Sequence, residues 1–182
     1  MNKIIKIYDN LFSKTLEDQL EEFVLYSRLP IYSYQSNISG YDNTKNTPGI
    51  SHTFWGPDNN ITEHNGFLLQ PLYIFCHLKN IILHQVITSR VFISFPLKDI
   101  NVNHIHNDQT FPHFVCLYYI NDTDGDTIFY NEQEEEIKRI SPKKGRIIFF
   151  DGTIKHSGSY PTKNTRAIIN FNFIGEKFEE EK

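Results

Sequence analysis

The prediction of the fold rests mainly on the stretch RAIINFNFI at residues 166–174. Successive side chains of a β-strand point to opposite faces, so this stretch has two faces of different character. One face is apolar and carries Ala167, Ile169, Phe171 and Phe173. The other face is mostly polar and carries Arg166, Ile168, Asn170 and Asn172. A strand that is apolar outside and polar inside predicts a barrel whose interior is a binding site rather than a packed core.

Four other runs in the second half of the chain share this composition of β-branched and aromatic residues. They are VITSRVFISF at 86–95, HFVCLYYIN at 113–121, TIFYNE at 127–132 and RIIFFDG at 146–152. Turn signals such as NDTDGD and SPKKG separate them. Several short strands with turns between them indicate an all-β sandwich or barrel.

The first half of the chain predicts helices. TLEDQLEEFVLYSRL at 15–29 has a one-sided apolar stripe, and Thr15 followed by Asp18 is much like a capping box, which makes Thr15 the predicted N-cap. A second helix is predicted over roughly 66–80. Residues 34–66 are rich in Asn, Ser, Gly and Asp, and they predict a long irregular segment of the kind that often serves as a lid or binding loop.

The composition bounds the class of protein. The 182 residues, of which 39% are hydrophobic, suffice for one domain, so residues 1–182 are predicted to form a single domain. Within it, 1–85 is the helical and loop part and 86–175 the β core. The net charge of −4, without a basic block, argues against nucleic acid as a partner. The oligomeric state cannot be read from the sequence.

The cysteines and the apolar runs bear on the compartment. Cys76 and Cys116 form no CxxC pair and lie in apolar runs, which is typical of buried thiols in a reducing environment. The first residues lack the apolar segment of a signal peptide, and polar residues interrupt FLLQPLYIFCHLKNIIL at 67–83. We therefore expect a cytoplasmic protein without a membrane span.

The stretch HIHNDQTFPH at 104–113 holds three histidines and an aspartate directly before an apolar run. If it is extended, His106 and Asp108 share a face, and His156 from a distant strand would complete a set of two histidines and one carboxylate. Such a facial set with open positions is typical of non-haem Fe(II) oxygenases. His104 lies on the same face, so His104 with His106 is an alternative metal pair, as in cupin-like proteins.

Arg166 follows His156 by ten residues and heads the strand with the polar face. A guanidinium held inside a barrel is well suited to bind a carboxylate through two parallel hydrogen bonds. The spacing therefore makes Arg166 a candidate for binding an acidic ligand near the metal.

Five segments together resemble the core of the 2-oxoglutarate- and Fe(II)-dependent oxygenases, on the prolyl-hydroxylase-like side of that superfamily. They are HNDQTFPH, LYYINDTDGDT, SPKKGRIIFFDG, IKHSG and RAIINFNF. The resemblance covers roughly residues 88–174. It implies a mainly β fold, the double-stranded β-helix or jelly roll, with flanking N-terminal helices. It also implies Fe(II) as the metal, with 2-oxoglutarate and O2 as cosubstrates.

The resemblance also implies roles for individual residues. The iron ligands, and with them the catalytic centre, would be His106, Asp108 and His156. Arg166 would bind the far carboxylate of 2-oxoglutarate, and Tyr119 matches a tyrosine that the family often uses for the same carboxylate. Asn170 is expected either to form a hydrogen bond near the cosubstrate or to fill the barrel interior. His104 and His113 are expected to be structural or to lie behind the ligands.

The function implied is a dioxygenase that hydroxylates a prolyl or other peptidyl side chain, or a small molecule, and releases succinate and CO2. Two alternatives stay open. One is a cupin-like metal enzyme that needs no 2-oxoglutarate, against which Arg166 argues. The other is a jelly-roll binding module that performs no redox step. A nucleic-acid demethylase of the same superfamily is disfavoured because the chain is acidic.

Overall fold

The computed structural model describes residues 4–27, 29–34, 49–56, 62–98 and 101–177. The helices in these ranges are α1 (Lys14–Tyr26), α2 (Asn65–Leu68) and α3 (Gln70–Leu78). The strands are β1 (Ile5–Tyr8), β2 (Tyr32–Tyr34), β3 (Gly49–Trp55), β4 (Ile81–Ser94), β5 (Phe114–Tyr119), β6 (Thr127–Tyr130), β7 (Glu136–Ile140), β8 (Ile147–Asp151), β9 (His156–Gly158) and β10 (Arg166–Lys177).

These strands form two antiparallel sheets. The larger has the strand order β1-β8-β5-β10-β4-β3-β2, and the smaller has the order β7-β6-β9. Apolar side chains of both sheets pack into one cluster that includes Val115, Leu117 and Phe150 from the larger sheet and Phe129 and Ile140 from the smaller. The two sheets therefore face each other, and the predicted double-stranded β-helix is confirmed.

The outer face of the larger sheet packs against the helices. One core cluster joins side chains of α1 and α3 to the outward-facing residues of β10, which are Ala167, Ile169, Phe171 and Phe173. On the opposite face, Ile168 belongs to the cluster between the sheets, and Arg166 and Asn170 line a pocket. The predicted alternation along β10 is thus confirmed, and so is the position of the helices on one face of the β core.

The start of α1 differs from the prediction. The hydroxyl oxygen of Ser13 accepts a hydrogen bond from the backbone N–H of Leu16 at 3.3 Å, and Ser13 has the extended backbone of an N-cap. Thr15 lies inside the first turn. The prediction that Thr15 caps the helix was therefore wrong by two residues.

The predicted second helix is divided in two. α2 ends at Leu68, and Pro71 lies in the first turn of α3. Proline lacks the backbone N–H that a continuing helix needs and its ring collides with the preceding turn, whereas both properties suit the start of a helix. One continuous helix over 66–80 was therefore a wrong expectation.

The segment 34–66 is not irregular throughout. β3 lies within it and pairs antiparallel with β4. Trp55 donates its indole N–H to the backbone carbonyl of Val86 at 3.0 Å, which ties the end of β3 to the sheet. The expectation of an irregular loop is therefore wrong for β3, while residues 35–48 and 57–61 lie outside the described part of the chain.

The β core extends beyond its predicted bounds, since β4 begins at Ile81 and β10 continues to Lys177. β1 was not predicted, and it adds an edge strand beside β8. Among the described residues, no helix is both long enough and apolar enough to cross a membrane. That residues 1–182 form one domain stays a prediction.

Candidate metal centre

Two of the predicted ligands face each other across a backbone bridge. His106 and His156 exchange both main-chain hydrogen bonds, with N-to-O distances of 3.0 and 2.9 Å. Residues paired in this way project their side chains to the same side. The bridge therefore brings together two imidazoles that are distant in sequence, with ring centroids 4.6 Å apart.

Asp108 completes the cluster. Its Oδ1 lies 3.6 Å from Nε2 of His106, and its Oδ2 lies 3.8 Å from Nε2 of His156. One ligand atom from each of the three residues lies within 4.8 Å of the others. Two imidazoles and one carboxylate brought together in this way can form the facial set of non-haem iron sites, which leaves positions open for further ligands.

Both imidazoles are oriented as metal ligands must be. Nδ1 of His106 donates to the backbone carbonyl of His104 at 2.9 Å, and Nδ1 of His156 donates to that of Ile154 at 3.1 Å. A carbonyl can only accept, so Nδ1 carries the proton in each ring and Nε2 presents a lone pair to the cluster. The residues present therefore fit a bound Fe(II).

Burial and neighbouring charges set the ionisation of the cluster. The ring of His156 is enclosed by Phe129 and Phe150, and burial lowers its pKa to about 4, so that it is neutral near pH 7. Burial raises the pKa of Asp108, but its contact with His106 and nearby positive charge outweigh burial and hold that pKa well below its ordinary value. A neutral imidazole and an ionised carboxylate are the forms that bind metals.

Asn170 and Arg90 flank the carboxylate of Asp108 from two neighbouring strands. They lie opposite each other in the register of β10 and β4. Asn170 donates its amide N–H to Oδ2 of Asp108 at 3.0 Å, and the Nη2 of Arg90 lies 4.0 Å from Oδ1. Arg90 was not among the predicted site residues, although a charged residue inside the apolar run 86–95 was a signal that could have identified it.

Arg166 lies at the other end of the barrel interior. It is only 2% exposed. Its Nε donates to the backbone carbonyl of Gly125 at 2.6 Å, and its Nη2 donates to Oγ1 of Thr127 at 3.0 Å. These neutral acceptors orient the guanidinium but do not compensate its charge, so a carboxylate ligand would find a fixed cation there.

Position 125 has no room for a side chain larger than that of glycine. A Cβ on Gly125 would lie 2.5 Å from Cδ of Arg166 and 2.8 Å from the backbone oxygen of Ser159. Its φ is not in the left-handed region that favours glycine. The sequence suggested that glycine serves the turn here, whereas the structure shows that the close approach of Arg166 demands it.

Tyr119 is fully buried and shares the inner cluster with Val115 and Leu117, which lie on the same face of β5. Its hydroxyl lies 2.6 Å from Oγ1 of Thr127, and its ring lies 5.5 Å from the Cζ of Arg166. Thr127 thus stands between Tyr119 and the pocket. No sequence pattern pointed to Thr127, since threonine is common at the start of a strand. That Tyr119 itself binds the cosubstrate stays a prediction.

One pocket is lined by residues from both ends of the site. Its polar lining includes His106, His156, Asn170, Thr127 and Arg166. Apolar side chains of Phe92, Leu117 and Ile168 complete it. In the described part of the chain no Asp or Glu lines this pocket, while Arg90 and Arg166 do, so the pocket suits an acidic ligand.

The other histidines of the 104–113 stretch have structural contacts. His104 offers its backbone carbonyl to His106, as described above. His113 donates from Nδ1 to the backbone carbonyl of Phe111 at 2.8 Å. Its ring packs on Gly152, where a Cβ would lie 2.1 Å from Nε2.

Residues 99–174 match the family model of the 2OG-Fe(II) oxygenase superfamily, in which 2OG stands for 2-oxoglutarate. This match contains every predicted ligand and cosubstrate residue, and it confirms the predicted resemblance. No curated protein is significantly similar to the chain in sequence.

Solved structures share the fold. An oxidoreductase of the 2OG-Fe(II) oxygenase family from Burkholderia pseudomallei superposes with a TM-score of 0.69 at 10% identity, covering 94% of this chain and 84% of that chain. A prolyl-4-hydroxylase from Pseudomonas putida gives 0.62 at 10% identity, covering 95% and 93%. A prolyl hydroxylase from Trichoplax adhaerens, in complex with a hypoxia inducible factor peptide fragment, gives 0.62 at 15% identity, covering 93% and 83%. At these identities the likeness establishes the fold alone.

Proposed function

We propose that this chain, whose residues 99–174 match the 2OG-Fe(II) oxygenase superfamily, is a 2-oxoglutarate-dependent dioxygenase that hydroxylates a C–H bond of a peptide or a small molecule. The observation that carries the proposal is a single pocket lined both by two members of a possible metal triad and by a buried arginine. Such a pocket can hold an acidic cosubstrate against a metal. Neither a cupin-like enzyme without 2-oxoglutarate nor a binding module needs both features.

We assign the Fe(II) site to His106, Asp108 and His156. Fe(II), when bound with 2-oxoglutarate and O2, supplies the oxidation of an unactivated C–H bond, coupled to conversion of 2-oxoglutarate into succinate and CO2. The chain contributes two imidazoles whose Nδ1 atoms are held by backbone carbonyls, which leaves Nε2 of each to bind the metal, and one ionised carboxylate. Because backbone carbonyls hold both rings, little reorganisation is needed when the metal binds.

We assign the carboxylate of 2-oxoglutarate that is remote from the metal to Arg166. The Nε and Nη2 groups of this arginine are held by Gly125 and Thr127, so its orientation is set before the ligand arrives. Thr127 lines the pocket beside it, and the hydroxyl of Tyr119 positions Thr127 from behind. Tyr119 therefore contributes to cosubstrate binding through Thr127.

Apolar residues line the pocket together with these polar groups. Phe92, Leu117 and Ile168 come from three neighbouring strands of the larger sheet. With few water molecules around it, a charged pair such as Arg166 with a carboxylate interacts more strongly than in bulk solvent. The same lining keeps water away from the reacting centre.

A prolyl or other peptidyl side chain is the leading substrate in this proposal, and a small molecule is the second. The support for a peptide is the fold likeness to two prolyl hydroxylases, one of them in complex with a peptide fragment. A net charge of −4 argues against nucleic acid. Free, buried Cys76 and Cys116 support a reducing compartment, and we propose the cytoplasm.

The test is substrate-dependent turnover of 2-oxoglutarate. The chain is incubated with Fe(II), 2-oxoglutarate, ascorbate and air, with a panel of proline-containing peptides and free amino acids. Succinate is followed by NMR, and the gain of one oxygen atom is followed by mass spectrometry. We expect succinate from the wild type, increased by the true substrate and absent in His106→Ala. If the wild type oxidises a panel member without consuming 2-oxoglutarate, the cupin-like alternative is correct. If it binds panel members but oxidises none and forms no succinate, the binding module is correct.

A further inference from the structure

The inner face of β10 carries two buried asparagines that are linked to the carboxylate of Asp108. Asn170 donates its side-chain N–H to Oδ2 of Asp108 at 3.0 Å. Asn172, two residues further along the same face, donates its side-chain N–H to Oδ1 of Asn170 at 3.3 Å. The two asparagines are 6% and 3% exposed, so water has little access to either amide.

The direction of these hydrogen bonds follows from chemistry. An ionised carboxylate only accepts, so Asn170 must turn its NH2 group toward Asp108. Its carbonyl oxygen then faces Asn172, which must donate in turn. The orientation of each amide is therefore determined by the charge on Asp108, and the three side chains act as one hydrogen-bonded unit.

A second group competes for the same carboxylate. The Nη2 of Arg90 lies 4.0 Å from Oδ1 of Asp108, on the strand that pairs with β10 opposite Asn170. The distance is longer than a hydrogen bond, and a small rotation of the Asp108 side chain would close it to a direct ion pair. Asn170 opposes that rotation, because it holds the other carboxylate oxygen.

We propose that Asn170 and Asn172 are positioning residues, which hold Asp108 toward His106 and His156 and prevent its collapse onto Arg90. The inference rests on the proposed role of Asp108 as a metal ligand. Asn170 was predicted either to form a hydrogen bond near the cosubstrate or to fill the interior, and its side chain both contacts Asp108 and lines the pocket. Its effect on the reaction passes through the metal ligand.

The test measures metal binding alone, without cosubstrate or oxygen. The metal-free chain is titrated anaerobically with Mn(II), and the free ion is quantified by electron paramagnetic resonance. Partners that hydrogen-bond to ligating groups typically contribute 10- to 100-fold to metal affinity, so we expect Asn170→Leu to weaken Mn(II) binding by about 10- to 100-fold. We expect Asn172→Val, which acts one bond further away, to weaken it by less.

Asn121→Ser is the matched control. Asn121 is also a buried asparagine near β10, but its side chain binds the backbone of Thr165 and Ala167 at the opposite end of the strand. We expect this variant to lose thermal stability while its Mn(II) affinity stays at the wild-type value. A stability loss that also lowered Mn(II) affinity in the control would show that the effect of Asn170→Leu is merely structural.

The double variant Asn170→Leu with Arg90→Met tests the competition directly. If Asp108 collapses onto Arg90 when Asn170 is lost, removing the guanidinium restores part of the Mn(II) affinity, and the two changes are non-additive. If Asn170→Leu does not fold, Asn170→Ser keeps a polar side chain too short to reach Asp108 and replaces it in the cycle.

Wild-type affinity in both Asn170→Leu and Asn170→Ser would overturn this inference and leave the proposed function intact. Failure of the wild type to bind Mn(II) at all would overturn the proposed metal site, and this inference with it.

Discussion

The two faces of β10 are almost equally buried, yet the outer face packs in the core and the inner face contributes to the candidate site. Phe171 on the outer face is 0% exposed, and Arg166 and Asn172 on the inner face are 2% and 3% exposed. Outer side chains pack against helices and neighbouring strands, where dispersion and burial of apolar area are the whole contribution. On the inner face, Asn170 contacts Asp108, the predicted metal ligand, and Arg166, Ile168 and Asn170 line the pocket. Burial alone therefore does not tell a core position from a site position, whereas the partner of each side chain does.

Truncation on the outer face should have the largest effect on stability. Phe171→Ala removes a fully buried ring that packs edge-on against Phe54, with centroids 6.3 Å apart. Phe-to-Ala changes in cores cost about 3–5 kcal/mol, and we expect a loss of that size in urea unfolding monitored by circular dichroism. Mn(II) affinity of the folded fraction should not change. If Phe171→Ala kept its stability but lost Mn(II) binding, the outer face would contribute to the metal site and not to the core alone.

Removal of the inner-face cation should produce the opposite pattern. Truncating one partner of a buried charge pair costs about 2–5 kcal/mol of binding, so Arg166→Met should weaken 2-oxoglutarate binding by at least about thirtyfold. The free energy of unfolding of the unliganded protein should change less than that of 2-oxoglutarate binding, because removal of the buried charge and loss of its hydrogen bonds to Gly125 and Thr127 act in opposite directions. Calorimetric titration of the Mn(II)-loaded protein measures the first quantity and urea unfolding the second. Equal 2-oxoglutarate affinity in the variant would remove Arg166 from the cosubstrate site.

The stability of the metal-free protein should depend on pH through His156. Its pKa is lowered to about 4 in the folded state, so below its ordinary value near 6.5 the unfolded chain takes up a proton that the folded chain does not. The contribution of this residue is fully present above pH 6.5 and is lost as the pH falls toward 4, by on the order of 3 kcal/mol.

Urea unfolding at several pH values in the presence of a chelator measures this dependence. His156→Gln, which is neutral at every pH, should flatten the slope between about pH 6.5 and pH 4. Asp108 contributes to the further loss expected below that range, because its lowered pKa keeps it ionised in the folded protein at pH values where the unfolded chain takes up a proton. Asp9, whose pKa is lowered by its hydrogen bond to Arg146, contributes in the same direction. A slope between pH 6.5 and 4 that is unchanged in His156→Gln would contradict the neutral, buried imidazole.

The smallest expected effect is the difference in 2-oxoglutarate affinity between variants of Thr127 and of Tyr119. Thr127→Val removes the hydroxyl that lines the pocket beside Arg166, and a net loss of about 1 kcal/mol in 2-oxoglutarate binding corresponds to one hydrogen bond. Tyr119→Phe removes only the group behind it, so its effect on 2-oxoglutarate binding should be smaller. A larger loss in Tyr119→Phe than in Thr127→Val would show that Tyr119 contacts the cosubstrate directly, as the sequence predicted.

Features set by backbone geometry were predictable from the sequence. Alternation along a strand is a property of the backbone, which is why the two faces of β10 could be read correctly. The H-x-D spacing correctly predicted that His106 and Asp108 lie together, although residues 104–108 form no continuous strand and, among them, only His106 makes a backbone bridge. His156 was proposed as the third ligand from its residue type and then from the resemblance, and its pairing with His106 is seen in the structure as a backbone bridge.

The other contacts of the candidate site, and the choice of N-cap for α1, depend on interactions that cannot be predicted from neighbouring residues in the sequence. Ser13 and Thr15 both offer a hydroxyl at the start of α1, and the backbone conformation at the junction decides which one caps it. Asn170 forms a hydrogen bond with Asp108, which lies 62 positions earlier in the chain. Arg90 meets the same carboxylate because β4 and β10 are in a register that depends on the whole sheet. Such contacts are properties of the assembled barrel.

Anaerobic visible spectroscopy reports the binding of Fe(II) and of 2-oxoglutarate to this pocket in one spectrum. The metal-free wild type, His106→Ala and Arg166→Met are each given Fe(II) and then 2-oxoglutarate under anaerobic conditions. We expect a weak visible charge-transfer band in the wild type and no band in His106→Ala. In Arg166→Met we expect the band only at a much higher 2-oxoglutarate concentration. A band of wild-type intensity and 2-oxoglutarate dependence in His106→Ala would contradict the account, because the iron and its cosubstrate would then be bound elsewhere.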